Sequence, residues 1–144
     1  MTDNINIATE VFDRIQKKFP NISMRIGNQH HVLDLWMDIP KQDGLKFDIH
    51  LNLQNNDELH MTVAGNFWLE WFSCTDKVNV ERYVEAVSGL LSGKYRILEH
   101  YRGKKAVKAE LQSPKDGGWK TIGTWSTMSF PFPWKKNYNI VQNN

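Results

Sequence analysis

Apolar residues recur at three- and four-residue spacing from Ala8 through Val11, Phe12, Ile15 and Phe19, while Arg14, Lys17 and Lys18 fall largely elsewhere. That spacing predicts an amphipathic helix. Pro20 predicts its end, because a residue preceding proline is pushed out of the helical region. The same period returns at Val80, Val84, Val87 and Leu91, with Asn79 or Thr75 as candidate N-caps and Gly93 as the stop. Between these segments the period changes to two. Leu33, Leu35 and Met37 alternate with Asp34, Trp36 and Asp38, and Leu45, Phe47, Ile49, Leu51 and Leu53 alternate with Lys46, Asp48, His50 and Asn52. A third strand starts at Glu58 with Leu59, Met61 and Val63 inward, and the segments "PKQDG" and "QNND" between these strands are rich in turn formers. Three more strands are predicted near 94–102, 105–112 and 119–127, separated by "RGK" and "SPKDGG".

Short connections favour antiparallel neighbours. The predicted fold is therefore α+β: a mainly antiparallel sheet of about six or seven strands, or two abutting sheets, with two helices packed on one side. Residues 1–144 read as a single domain, with a Pro/aromatic C-terminal tail at 129–144. In that tail Pro131 and Pro133 favour extended chain, and Phe130, Phe132 and Trp134 predict packing back over the domain.

Composition narrows the function classes. No uncharged apolar run approaches the roughly 20 residues of a membrane span, so no membrane association is expected. The N-terminal segment lacks the basic start and short apolar block of a secretory signal, and Cys74 is the only cysteine, so a cytoplasmic, reducing location is expected. Cys74 reads as an inert structural thiol. The net charge of +2 conceals a division: residues 1–92 carry 8 Lys or Arg against 13 Asp or Glu, and residues 93–144 carry 10 against 3. Such asymmetry suits an electrostatic partner site unless folding interleaves the halves.

Three constellations offer chemistry. Because the apolar residues of the 45–53 and 58–64 strands are all odd-numbered, paired numbers must sum to an even value; 110 places His50 opposite His60, and 112 makes them diagonal neighbours. Asp34, Asp38 and Asp48 share that face, and Asp34, Asp48, His50 and His60 form a candidate metal set. The plainer reading is a solvated sheet surface, so no metal, catalytic residue or cofactor is assigned. Secondly, Lys94, Arg96, His100 and Arg102, extended by Lys108 and Lys120, form a basic stripe suited to an acidic partner or nucleic acid. Thirdly, Glu99 stands on the otherwise apolar face of Tyr95, Ile97 and Tyr101, where a carboxylate must be paired or neutralised; a place at the sheet margin or bonding to a tyrosine or lysine is expected. The chain has no Gly-rich phosphate loop, H-E-x-x-H, G-x-S-x-G or paired C-x-x-C.

The segment "GNFWLEWFSC" at 65–74 concentrates four aromatics around Glu70. If the strand from Glu58 continues through Gly65, Phe67, Leu69 and Trp71 stay inside; if Gly65 and Asn66 form a two-residue hairpin, Trp68, Glu70 and Phe72 join the Val63 face. Either way an aromatic pair is left for a second face; burial on both faces is the plainer expectation for such a continuous apolar run, and Trp68 with Phe72 is the exposed pair on the functional reading. The leading functional reading is a small noncatalytic protein-interaction domain of inhibitor or immunity type, with a protein partner of unknown identity. The second is a small-ligand-binding domain or enzyme with an aromatic-lined pocket, and nucleic-acid binding is third. Trp68, Phe72, Glu70, Arg96, Arg102 and Lys108 are the residues assigned to partner or ligand binding.

Overall fold

Period-two patterning produces two antiparallel sheets in the computed structural model, which describes residues 2–28, 33–65, 67–126 and 137–143. A helix, α1 (Thr2–Lys18), precedes five strands: β1 (Arg25–Gly27), β2 (Leu33–Ile39), β3 (Ile49–Gln54), β4 (Glu58–Val63) and β5 (Phe67–Phe72). These lie side by side in chain order. A second helix, α2 (Lys77–Ser92), leads to β6 (Arg96–Arg102), β7 (Lys105–Lys115), β8 (Gly118–Ser126) and β9 (Asn137–Val141), arranged β8-β7-β6-β9. The α+β class, with two helices and mainly antiparallel pairing, is as the pattern predicts.

The apolar face of the first sheet carries Leu35, Met37 and Ile39, then Ile49, Leu51 and Leu53, then Leu59, Met61, Val63 and Phe67, all buried. Ala8, Val11, Phe12 and Ile15 of α1 and Tyr83, Val84, Val87 and Leu90 of α2 belong to the same continuous core, as do Ile97, Ala109 and Leu111 of the second sheet. Burying a large aliphatic or aromatic side chain is worth about 1.5–3 kcal/mol, so this shared core is what holds the layers together. Gly89 is required by close packing, because a Cβ there would lie 2.3 Å from the Tyr95 ring. Gly93 stops α2 in the left-handed conformation at φ 84°, as its sequence position implies.

Several boundaries differ from the sequence reading. The N-cap of α2 is Asp76, whose side chain accepts from the Val78 amide; Asn79 instead donates to the Phe72 carbonyl at 2.9 Å. Leu45 and Phe47 are buried from a loop that precedes β3, so alternation there reflects core anchoring without ladder pairing. β1 escaped detection because it is three residues long, too short to show a period. Strand β7 runs through Pro114 to Lys115, and the turn shrinks to Asp116 (φ 49°) and Gly117 (φ 79°), the Asp-Gly pair that two-residue hairpins favour. Pro114 is tolerated there because β7 has already run past its last β6 pairing at Gln112. In the tail, 137–141 forms the edge strand β9 beside β6, whereas Phe130, Phe132 and Trp134 lie outside the described residues.

Candidate functional site

The 65–74 question is settled by register. Val63 pairs with Phe67 and His60 with Glu70, leaving three residues, 64–66, in the connection. This corrects the two-residue hairpin: Ala64 and Gly65 both take positive φ, 53° and 75°, and the extra loop residue preserves the parity of the strand. The chain therefore turns as a hairpin but keeps the faces of the continuous-strand alternative. Phe67, Leu69 and Trp71 join the core face, while Trp68, Glu70 and Phe72 stand on the outer face, with Trp68 44% and Phe72 67% exposed.

The β3–β4 register takes the sum of 112. Asn52 faces His60, and His50 faces Thr62. One cross-strand row on the outer face thus reads Gly27, Trp36, Asn52, His60 and Glu70, and the next reads Arg25, Asp38, His50, Thr62 and Trp68. Trp36 packs so closely over Gly27 that a Cβ there would sit 2.1 Å from its ring. The Trp68 and His60 rings stack at 5.6 Å with planes 12° apart. On the core side, the buried Tyr83 hydroxyl donates to the His60 carbonyl at 2.7 Å and fixes the backbone beneath the imidazole.

His60 is only 8% exposed and Asn52 only 4%. Neither His60 Nε2 nor Asn52 Oδ1 has a hydrogen-bond partner among the described residues. His60 Nε2 lies 3.5 Å from Glu70 Oε2 and 3.9 Å from Glu58 Oε1, within Coulombic reach but without hydrogen-bond geometry. Burial lowers the His60 pKa below its ordinary 6.5, against the upward pull of Glu70 and Glu58.

The candidate metal set of Asp34, Asp48, His50 and His60 is not assembled. Asp34 accepts from the Asn56 amide at 2.8 Å, and His50 Nδ1 pairs with Asp38 at 2.5 Å. Among the described residues, the three potential ligand groups whose atoms all come within 4.8 Å of one another are Glu58, His60 and Glu70. The sequence reading missed Glu58, which an E-x-H pair at strand spacing could have pointed to, and it could not join Glu70 to His60, because the face of Glu70 depended on how the chain turned between β4 and β5.

The outer face of the second sheet is a different environment. The Arg96 guanidinium lies 4.2 Å over the Trp119 ring and Nε donates to Gln112 at 2.8 Å. Gln112 reaches Thr121, Thr121 donates to Glu110 at 3.0 Å, and Glu110 pairs with His100 at 2.6 Å. His100 meets the Tyr138 ring edge-on at 5.1 Å. Glu110 therefore divides the expected basic stripe. Burial pushes its pKa up, but hydrogen bonds from His100 and Thr121 and the nearby Lys108 outweigh burial and hold it below its ordinary 4.5. Lys108 and Arg102 are exposed, whereas Lys120 leaves the stripe and lines a cleft of about 470 Å³ between α2 and the two sheets, with Trp71, Arg82, Glu85 and Tyr95. Glu99 is buried; its Oε1 accepts from Asn139 at 2.7 Å and Tyr101 at 3.3 Å, while Oε2 has no partner among the described residues. Cys74 is buried, and burial with the neighbouring Asp57 pushes its thiol up to about 11, which leaves it protonated and unreactive at neutral pH.

No protein-family model, curated protein or solved structure matches this chain. No helix among the described residues is long and apolar enough to cross a membrane.

Proposed function

We propose that the chain is a noncatalytic protein-interaction module that engages its partner through the outer face of β5. The supporting observation is the exposure of Trp68 and Phe72 on either side of Glu70, on a strand at the edge of its sheet. Large aromatics are the side chains most often found as binding anchors, because each buries much area while freezing few rotatable bonds. Glu70 lies half-exposed between them. Arg96, Arg102 and Lys108 belong to the other sheet, and acidic-partner binding through them is a separate, secondary assignment. A buried, unreactive single cysteine fits a cytoplasmic setting.

The test is purification of the full chain from its native host, identification of any stoichiometric protein, and measurement of its affinity for Trp68→Ala and Phe72→Ala. Loss of binding in both variants supports the reading. Unchanged affinity in both removes it.

A second reading rests on the cleft beneath α2. Trp71 and Tyr95 supply aromatic walls, and Arg82, Glu85 and Lys120 supply polarity. A small molecule retained through native purification and released by Lys120→Glu would favour it. Nucleic-acid binding ranks third, since Glu110 breaks the basic stripe that would track phosphates.

A further inference from the structure

We infer that Glu58, His60 and Glu70 form a binding site for a divalent first-row transition-metal ion of the Zn2+ or Mn2+ type. This goes beyond the interaction reading and does not depend on it.

Sheet geometry brings the three donors together. Glu58 and His60 are two residues apart on β4 and so project to one face, while Glu70 is the cross-strand partner of His60 on β5. Two donors that share an ion at roughly 2.1 Å each lie about 3.0–3.4 Å apart. The 3.5 Å and 3.9 Å separations from His60 Nε2 to the two carboxylates are a few tenths of an ångström wider, a gap that small rotations of the glutamate side chains close.

The second observation is the orphaned nitrogen. A buried imidazole nitrogen without a hydrogen bond is destabilising, and His60 Nε2 has no such bond among the described residues while facing two carboxylates. A metal ion would satisfy the nitrogen and neutralise the paired negative charges in one step. Trp68 stacked on the ring holds the orientation of the donor. Asn52 Oδ1, buried and unpartnered in the same cross-strand row, is positioned on the face where it would accept from a water bound to the ion.

The donor set chooses the metal. Mg2+ and Ca2+ are held by oxygen ligands, whereas one imidazole with two carboxylates suits Zn2+, Mn2+ or Fe2+. A simple ion pair between His60 and the glutamates would bring Nε2 within hydrogen-bond geometry of a carboxylate, which the 3.5 Å and 3.9 Å separations do not show.

The experiment is isothermal titration of untagged, chelator-treated full-length protein with Zn2+, Mn2+ and Mg2+, with no partner present. Saturable one-to-one binding of Zn2+ or Mn2+, weaker Mg2+ binding, and about 10- to 100-fold loss in each of Glu58→Gln, His60→Gln and Glu70→Gln is expected. His50→Gln, which alters a histidine already paired with Asp38, should leave affinity unchanged. Circular dichroism checks folding, and Glu70→Gln, at a half-exposed side chain, decides the matter if the buried His60→Gln variant does not fold. No saturable binding at millimolar metal, or binding that survives all three glutamine substitutions, overturns the inference.

Discussion

The outer faces of the two sheets carry similar residue types and differ in whether their polar groups are satisfied. On the second sheet, Arg96, Gln112, Thr121, Glu110 and His100 form a continuous chain of hydrogen bonds, bracketed by Trp119 and Tyr138. On the first sheet, His60 Nε2 and Asn52 Oδ1 are buried without partners beside two carboxylates and below an exposed aromatic pair. A closed network rigidifies a surface and leaves little for a ligand to gain; an open one costs stability until something completes it. The difference is what supports the proposal that the first face, not the second, takes up a ligand or partner.

The comparison breaks most sharply at the aromatic anchors. Trp68→Ala and Phe72→Ala should each weaken the interaction by about 2 kcal/mol, roughly thirtyfold in Kd, while Tyr138→Ala on the second face changes it by less than about threefold. Titration calorimetry with the isolated partner measures both. Equal losses at Tyr138 would erase the distinction between the faces.

The next effect is on stability, with opposite signs on the two faces. Glu110→Ala removes the acceptor shared by His100 and Thr121 and should cost about 2 kcal/mol in urea unfolding. Asn52→Leu replaces an orphaned polar side chain with an apolar one of similar size and should raise stability by about 1 kcal/mol in metal-free protein. A loss at Asn52 comparable to that at Glu110 would mean that Asn52 Oδ1 is already satisfied.

The smallest effects are in pH dependence. His60 has a folded pKa below its ordinary 6.5, so in metal-free protein the unfolded chain takes up its proton first as pH falls through 6.5, and stability is lost from there down to the folded value. Glu110 has a folded pKa below its ordinary 4.5, so its contribution is present above 4.5 and is lost as pH falls through the folded value. Urea midpoints followed from about pH 7.5 to 3.5 should flatten in the upper window for His60→Gln and in the lower window for Glu110→Gln. The opposite assignment of windows would contradict the contrast.

How far the sequence foretold these faces depends on parity. Alternation from Leu33 to Val63 correctly divided the first sheet into an apolar and a polar side, and it put His50, His60, Asp38 and Asp48 on the same side. It could not count the 64–66 loop, whose three residues rest on Ala64 accepting a left-handed conformation that an alanine rarely adopts. That single residue decides whether Glu70 meets His60 or the core. Bulges had the same effect on the second sheet: the shifts at His100/Tyr101 and Leu111/Gln112 determine which β7 and β8 side chains share a face with β6, so the approach of Glu110 to His100 and the turn of Lys120 into the cleft were invisible to a period-two reading. The helix termini were legible where a special conformation was required, at Gly93, and ambiguous where Thr75, Asp76 and Asn79 could all have capped.

The most direct measurement places a photo-crosslinking amino acid at position 72 in one copy of the chain and at position 138 in another, each expressed in the native host. Phe72 and Tyr138 are both more than half exposed, at 67% and 53%, so accessibility alone does not separate them. The account predicts one discrete protein adduct from position 72, abolished by Trp68→Ala in the same chain, and no comparable adduct from position 138. A discrete adduct from position 138 with none from position 72 would contradict it.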